Sequence, residues 1–261
     1  MRPSPIEAAI DEARARRRGA FVAYLPVGYP DLDTSVEAAV AVLEAGADVL
    51  ELGLPYSDPV MDGPAIQAAT AEALRRGFRV RDAFEAVRRI RAAVDRPVAI
   101  MSYWNLVLRF GVERFAETLA EAGGAGLITP DLVPDEAEQW LRASEATGLD
   151  RIFLAAPSSS DERLERIVRL SSGFVYTVST MGVTGAREQL DRSARKLAGR
   201  LHAHGAKRAC VGIGVSTPQQ VAEVLDYAEG AIVGSALVRR LAEGGVGAVR
   251  ETAARLAEGT R

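Results

Sequence analysis

The chain of 261 residues is long enough for one large α/β barrel or for two small domains, and its 48% hydrophobic and 26% charged residues are ordinary for a globular protein. A net charge of −3 argues against nucleic-acid binding, and no apolar run approaches the roughly 18 residues that a membrane span requires. The single cysteine, Cys210, excludes an internal disulfide and suits a reducing cytoplasm, and one cysteine with two histidines argues against a metal cluster of His and Cys ligands.

Short apolar segments bounded by turn residues alternate along the chain with segments of helical periodicity. The first segment, residues 4–18, predicts an amphipathic helix. The predicted strands then cover residues 21–25, 49–54, 98–101, 126–129, 151–155, 173–178, 209–213 and 231–233. The helices predicted between and after them cover residues 34–45, 64–76, 81–94, 104–122, 135–147, 161–170, 187–204, 218–227 and 235 to nearly the end, with Asp33 or Thr34 as the cap of the first of these.

Eight strand–helix units in succession favour a (β/α)8 TIM barrel, because parallel strands are joined by right-handed helical crossovers. An open, doubly wound parallel sheet is the alternative on pattern alone. No linker rich in proline or serine divides the chain, so we expect a single domain over residues 1–261.

Carboxylates cluster around the second predicted strand, in residues 47–64. Glu51 lies in the middle of the apolar strand, where an unpaired carboxylate is costly to bury, and Asp58 and Asp62 follow in the next loop. In parallel α/β proteins, the catalytic residues lie at this carboxyl end of the strands. The alternative is that Glu51 pairs with a core arginine and that the loop acids only form turns.

The loops after the seventh and eighth predicted strands carry the residues of a possible phosphate site, Gly212, Gly214, Gly234 and Ser235. Barrels often bind phosphate at these two loops, where a helix N-terminus and close backbone N–H groups face the anion. No lysine or arginine lies in these loops, so binding would depend on backbone dipoles. The alternative is that the glycines only allow tight turns.

Two further features suit a substrate pocket. The polar, glycine-rich loop after the sixth strand, residues 179–186, has the composition of a lid that closes over a substrate, although a surface loop without a role is the alternative. Tyr24, Tyr103 and Tyr176 lie at or near strand ends, where they would form an apolar wall for a flat substrate. Core packing is the usual reason for any one of these aromatic residues.

Nucleophilic catalysis has few candidate residues. His202 and His204 lie two residues apart on a predicted helix and therefore point in different directions. No predicted strand contains a lysine, the sequence has no Ser-His-Asp pattern, and Cys210 is most simply a buried hydrophobic residue. Acid–base chemistry by carboxylates remains.

The motif at residues 51–67, Glu-Leu-Gly-Leu-Pro-Tyr-Ser-Asp-Pro-Val-Met-Asp-Gly-Pro-Ala-Ile-Gln, resembles the signature of the tryptophan synthase α subunit family. The motifs at 182–185, 212–214 and 234–235 resemble the same family in order and spacing, and the resemblance covers residues 19–245. It implies a lyase that splits indole-3-glycerol phosphate into indole and glyceraldehyde 3-phosphate by a retro-aldol reaction.

The resemblance also implies roles for individual residues. Glu51 would protonate indole C3 and accept the proton of the glycerol hydroxyl, and Asp62 would stabilise the positive charge on the indole nitrogen. Closure of the loop after strand six would bring Thr184 near both carboxylates. The phosphate would bind the backbone of Gly185, Gly214, Gly234 and Ser235, beside Gly212, and Tyr24, Tyr103 and Tyr176 would line the indole pocket.

Members of the family act with a β subunit that uses pyridoxal phosphate, as an α2β2 heterotetramer, and the α subunit carries no cofactor. Pro55, Asp58 and Asn105 lie in loops that resemble the β-facing surface. The chain departs from the family pattern at residues 25–30, which contain an extra proline, and at Tyr24, where many members have phenylalanine. Two alternatives remain open: a free-standing lyase, and a non-enzymatic activating partner.

Overall fold

The predicted strands are all present, with small changes at their ends. A computed structural model describes the backbone of residues 4–178, 187–212 and 214–261, and the side chains of the same residues except 187–191. Its strands are β1 (Ala20–Pro26), β2 (Val49–Gly53), β3 (Val98–Met101), β4 (Gly126–Thr129), β5 (Asp150–Ala155), β6 (Val175–Val178), β7 (Ala209–Gly212) and β8 (Gly230–Val233).

These eight strands form one closed parallel barrel in chain order. β1 pairs with β2 on one side and with β8 on the other, which closes the ring and excludes the open doubly wound sheet. The predicted (β/α)8 TIM barrel is therefore confirmed.

The helices of the described part of the chain surround the barrel, and none of them is long and apolar enough to cross a membrane. They are α1 (Pro5–Ala15), α2 (Leu32–Glu44), α3 (Pro64–Arg75), α4 (Val80–Ala93), α5 (Trp104–Phe110), α6 (Val112–Glu121), α7 (Glu138–Thr147), α8 (Asp161–Leu170), α9 (Arg187–Ala203), α10 (Pro218–Leu225) and α11 (Ser235–Glu258).

Three helix predictions between β1 and β5 need correction. The helix predicted over residues 104–122 is two helices, because Gly111 adopts a φ of 96° between α5 and α6. The cap of α2 is Asp31, not Asp33 or Thr34, since the Asp31 side chain accepts a hydrogen bond from the Thr34 backbone N–H. The segment predicted to be helical from residue 135 begins with a short 3-10 turn, Pro134–Glu136, before α7.

The amino-terminal end of the barrel is closed by apolar packing. Ile6 and Ile10 of α1 belong to one buried cluster with Val22 of β1 and Val49 of β2. Side chains alternate along a strand, so the inward positions two residues further on are those of Tyr24 and Glu51, which are partners in the β1–β2 register. The apolar cluster therefore fills the amino-terminal end of the barrel, and the polar inward-facing residues lie at the carboxyl end.

The first helix ends three residues earlier than predicted, in a left-handed turn at Arg17. Arg17 has a φ of 58°, and the backbone N–H groups of Arg17 and Arg18 donate to the carbonyls of Arg14 and Ala13. These two hydrogen bonds form a Schellman motif, in which glycine is the preferred left-handed residue because a Cβ atom costs free energy there.

We therefore expect Arg17→Gly to raise the free energy of unfolding by about 1 kcal/mol. Urea unfolding followed by circular dichroism measures this change. Arg16→Gly is the matched control, because Arg16 has a φ of −85° and gains nothing from glycine. An unchanged or lower midpoint for Arg17→Gly would contradict the strain at this turn.

Candidate active site

Glu51 is a fully buried carboxyl group. It lies on β2 beside Tyr24 of β1, and neither of its carboxylate oxygens has a hydrogen-bond partner in the described part of the chain. The described ion pairs include none to Glu51, so the alternative of a core arginine is not realised among these residues. Burial raises the pKa of Glu51 from 4.5 to about 8, and the nearby charge of Asp62 adds to the rise.

Asp62 faces the same space from the segment between β2 and α3, residues 54–63, which we call the acid loop. Partial burial raises the pKa of Asp62 from 3.8 to about 6, so at neutral pH this carboxyl is mostly ionised while Glu51 is mostly protonated. Two neighbouring carboxyls in different protonation states are typical of an acid–base site. Below about pH 6, Asp62 is mostly protonated as well.

Both carboxyls line a cavity at the carboxyl end of the barrel, with about 820 Å³ of empty space including its open mouth. Eight of the residues predicted from the sequence line it: Tyr24, Glu51, Asp62, Tyr176, Gly212, Gly214, Gly234 and Ser235. The other lining residues are Met61, Gly63, Ile66, Met101, Leu154, Val178 and Ile232. The cavity thus combines two carboxyls, an apolar wall and a glycine-rich side.

Tyr24 and Tyr176 form part of that wall, and burial raises the pKa of both phenols, which keeps them neutral. Neighbouring glycines make room for their rings. A Cβ on Gly53 would lie 2.3 Å from the Tyr24 hydroxyl, and one on Gly212 would lie 3.0 Å from the Tyr176 hydroxyl. Gly212 therefore has a packing role in addition to the phosphate role that the sequence suggested.

Tyr103 lies beside the cavity but is not among the residues that line it. Its hydroxyl accepts a hydrogen bond from the backbone N–H of Met61 at 3.0 Å. Its ring stacks on Tyr56 with 4.9 Å between ring centroids. The structure thus places Tyr103 against the acid loop, beside the cavity.

The glycine-rich side of the cavity contains the start of α11. Gly234 precedes this helix without a side-chain cap, so the first backbone N–H groups of α11 remain available to an anion. Gly214 adopts a φ of 71° with open space around its Cβ position, and a Cβ on Gly63 would lie 3.7 Å from the Ser235 Oγ. No lysine or arginine lines the cavity in the described part of the chain.

Thr184, Gly185 and the rest of the predicted lid, residues 179–186, lie outside the described residues, so these predictions remain untested. Among the described residues, no group of three or more His, Cys, Asp and Glu side chains is placed to hold a metal ion. The sequence analysis did not identify the apolar lining residues, although strand alternation could have found Met101. Ala99 of β3 is the partner of Glu51, and Met101, two residues further on, therefore faces the same side.

The chain is similar to known proteins along nearly its whole length. Residues 10–260 match the family model described as tryptophan synthase alpha chain. A tryptophan synthase alpha chain from Leifsonia xyli subsp. xyli is 61% identical over 256 residues, 98% of either chain.

Solved structures agree with these sequence relatives. A structure of tryptophan synthase from Mycobacterium tuberculosis superposes with a TM-score of 0.94 at 53% identity, over 100% of this chain and 99% of that one. A tryptophan synthase complex from Pyrococcus furiosus superposes with a TM-score of 0.83 at 33% identity, over 92% of this chain and 98% of that one. The chain therefore belongs to the tryptophan synthase alpha chain family.

Proposed function

We propose that this chain cleaves indole-3-glycerol phosphate into indole and glyceraldehyde 3-phosphate, with Glu51 moving the proton and Asp62 stabilising the charged intermediate. Membership of the tryptophan synthase alpha chain family supports the reaction. The assignment of residues depends on Glu51, a buried carboxyl that has no hydrogen-bond partner among the described residues and lines the same cavity as Asp62.

The protonation states match the order of the reaction. Glu51, mostly protonated at neutral pH, donates its proton to C3 of the indole ring, and the positive charge that appears on the ring nitrogen is stabilised by the carboxylate of Asp62. The C3–C1′ bond then breaks, and its electron pair restores the aromatic ring. The hydroxyl on C1′ gives its proton to the Glu51 carboxylate and becomes the aldehyde, so Glu51 ends the cycle protonated.

The cavity suits both ends of this substrate. Apolar side chains and two tyrosine rings surround the carboxyls, as a flat indole ring requires, and Leu154 and Ile232 lie among them. The uncapped start of α11 beside Ser235, together with Gly214, offers backbone N–H groups for the phosphate. A substrate that spans the cavity would place its reacting carbon between these two regions, close to Glu51.

The partner of the chain is a tryptophan synthase β subunit, which would receive the indole within an α2β2 heterotetramer. The structural relatives include a tryptophan synthase complex, which supports this assembly. Val60 in the acid loop and Leu108 in α5 are large exposed hydrophobic residues, 78% and 49% exposed, near Pro55, Asp58 and Asn105 in the sequence. Such residues suit a subunit contact. A cytoplasmic location stays a prediction.

The two carboxyl pKa values predict a bell-shaped dependence of kcat/KM on pH. Glu51 must be protonated to donate, so activity is expected to fall as the pH rises through about 8. Asp62 must be ionised to stabilise a cation, so activity is expected to fall as the pH drops through about 6. Indole release from indole-3-glycerol phosphate, measured from pH 5 to pH 10, records both limbs.

The substrate phosphate also loses its second proton at about pH 6, so the acidic limb needs a control. In Asp62→Asn, the fall of kcat/KM at acidic pH that comes from Asp62 should disappear. Any fall that persists in this variant comes from the substrate phosphate. A kcat/KM that stays level from pH 7 to pH 10 in the wild-type chain would contradict the role of protonated Glu51.

A further inference from the structure

The acid loop is held at Met61, next to Asp62, by a side chain from the loop between β3 and α5. Tyr103 lies two residues after the end of β3. Its hydroxyl accepts a hydrogen bond from the Met61 backbone N–H at 3.0 Å. This is a contact across 42 positions of sequence, between two loops at the carboxyl end of the barrel. It ties the loop that carries Asp62 to the barrel.

Tyr103 itself is firmly placed. Its side chain is buried, with 5% exposure, and it forms the cap position of α5. The next residue, Trp104, donates its backbone N–H to the Asp131 carboxylate at 2.9 Å, which fixes the start of α5 against the loop after β4. The Tyr103 hydroxyl is therefore a fixed acceptor, and the acid loop is the part that it orders.

The ring of Tyr56 makes a second contact between the acid loop and Tyr103. Tyr56 lies near the beginning of the acid loop and Met61 near its end, so the Tyr103 ring and its hydroxyl touch the loop at two points. On the far side of Asp62, Gln67 of α3 donates its side-chain N–H to the Asp62 carbonyl at 2.8 Å. The backbone at Asp62 is thus held from both directions.

We infer that Tyr103 is a positioning residue, whose hydroxyl sets the place of the Asp62 carboxylate through the Met61 backbone. The inference rests on the proposed function, because it assigns Tyr103 to the charge-stabilising step. It explains why Tyr103 lies near the cavity without lining it. A small displacement of the Asp62 carboxylate would strongly weaken the stabilisation of the positive charge, because this stabilisation depends on distance and orientation.

Tyr103→Phe tests the inference, because phenylalanine keeps the stacked ring and removes only the hydroxyl. We expect kcat for indole release to fall about 10-fold, and KM to change less than about 2-fold, since the hydroxyl does not contact the cavity. Tyr29→Phe is the matched control: the Tyr29 hydroxyl lies outside the cavity lining, and the variant should keep the wild-type kcat.

A double-mutant cycle with Asp62→Asn separates action through Asp62 from direct action on the substrate. In single-turnover experiments with excess enzyme, Tyr103→Phe should have almost no further effect once Asp62 is asparagine. A further loss of about 10-fold in the double variant, or a rise in KM without a fall in kcat, would overturn the inference. A wild-type rate for Asp62→Asn alone would instead contradict the proposed function, so the two failures are distinguishable.

Hydrogen exchange gives a readout that does not depend on activity. The Met61 amide should exchange at least about 10-fold faster in Tyr103→Phe than in the wild-type chain or in Tyr29→Phe, because its acceptor has been removed. Unchanged protection of the Met61 amide would show that the Tyr103 hydroxyl does not hold the acid loop, and would overturn the inference whatever the rate.

Discussion

Glu51→Gln is expected to lower indole release from indole-3-glycerol phosphate by about 10³-fold, because an amide neither donates a proton to C3 nor accepts one from the hydroxyl. The change is nearly isosteric, so the cavity and its tyrosine rings should keep their shape. Steady-state assays at pH 7 measure the loss. Glu117→Gln, an exposed change of the same chemistry on α6, is the matched control and should keep the wild-type rate.

The same substitution should stabilise the fold, which separates loss of catalysis from loss of structure. Folding raises the pKa of Glu51 from 4.5 to about 8, so the contribution of Glu51 to stability is most favourable below pH 4.5 and is lost as the pH rises through 8. Each pH unit between these values costs about 1.4 kcal/mol, so Glu51→Gln should gain about 3 kcal/mol at pH 7. Urea unfolding at pH 5 and pH 7 measures the gain.

A Glu51→Gln variant that is folded, stable and still cleaves substrate at near the wild-type rate would remove Glu51 from the reaction. A variant that is inactive and also less stable than the wild-type chain at pH 7 would leave the catalytic role of Glu51 in place, but would contradict the burial cost assigned to its carboxylate.

Asp62→Asn is the second change with a large expected effect. Asparagine is neutral, so it cannot balance the positive charge on the indole nitrogen, and we expect kcat to fall about 10²-fold. KM should change little, because the phosphate is expected to bind the backbone N–H groups at Ser235 and Gly214 and not the Asp62 side chain. Asp95→Asn, whose side chain is 99% exposed, is the matched control.

Inorganic phosphate is a useful second probe of the Asp62 variant. Its affinity, measured by competition against indole-3-glycerol phosphate, should be the same for Asp62→Asn and for the wild-type chain. An unchanged kcat would take Asp62 out of the mechanism. A weakened phosphate affinity with a normal kcat would instead place Asp62 in binding, against the proposed division of the cavity.

Most of the fold could be predicted from the local pattern of apolar and turn residues in the sequence. Strands β3 and β4 have their predicted ends, because short apolar runs between turn residues leave few other choices. The errors lie where one backbone torsion decides the structure. The periodicity of residues 104–122 continues smoothly through Gly111, and only its φ of 96° divides the segment into two helices.

Most residues of the candidate site could be predicted from the sequence, but their contacts could not. A glutamate inside an apolar strand marked Glu51, and the structure adds that its oxygens have no described partner. The contact of Tyr103 could not be predicted from the sequence, because a tyrosine near a strand end can line a pocket or bind a distant backbone group equally well. Its hydrogen bond to Met61 depends on how two loops fold together across the barrel end.

The most direct measurement is the release of indole and glyceraldehyde 3-phosphate from indole-3-glycerol phosphate by the purified chain, alone and with a cognate tryptophan synthase β subunit. We expect equal amounts of the two products, slow release by the chain alone, a sharp rise with the β subunit, and loss of release in Glu51→Gln. Fast release that is indifferent to the β subunit would indicate a free-standing lyase and contradict the partnership. No release under either condition would contradict the proposed reaction itself.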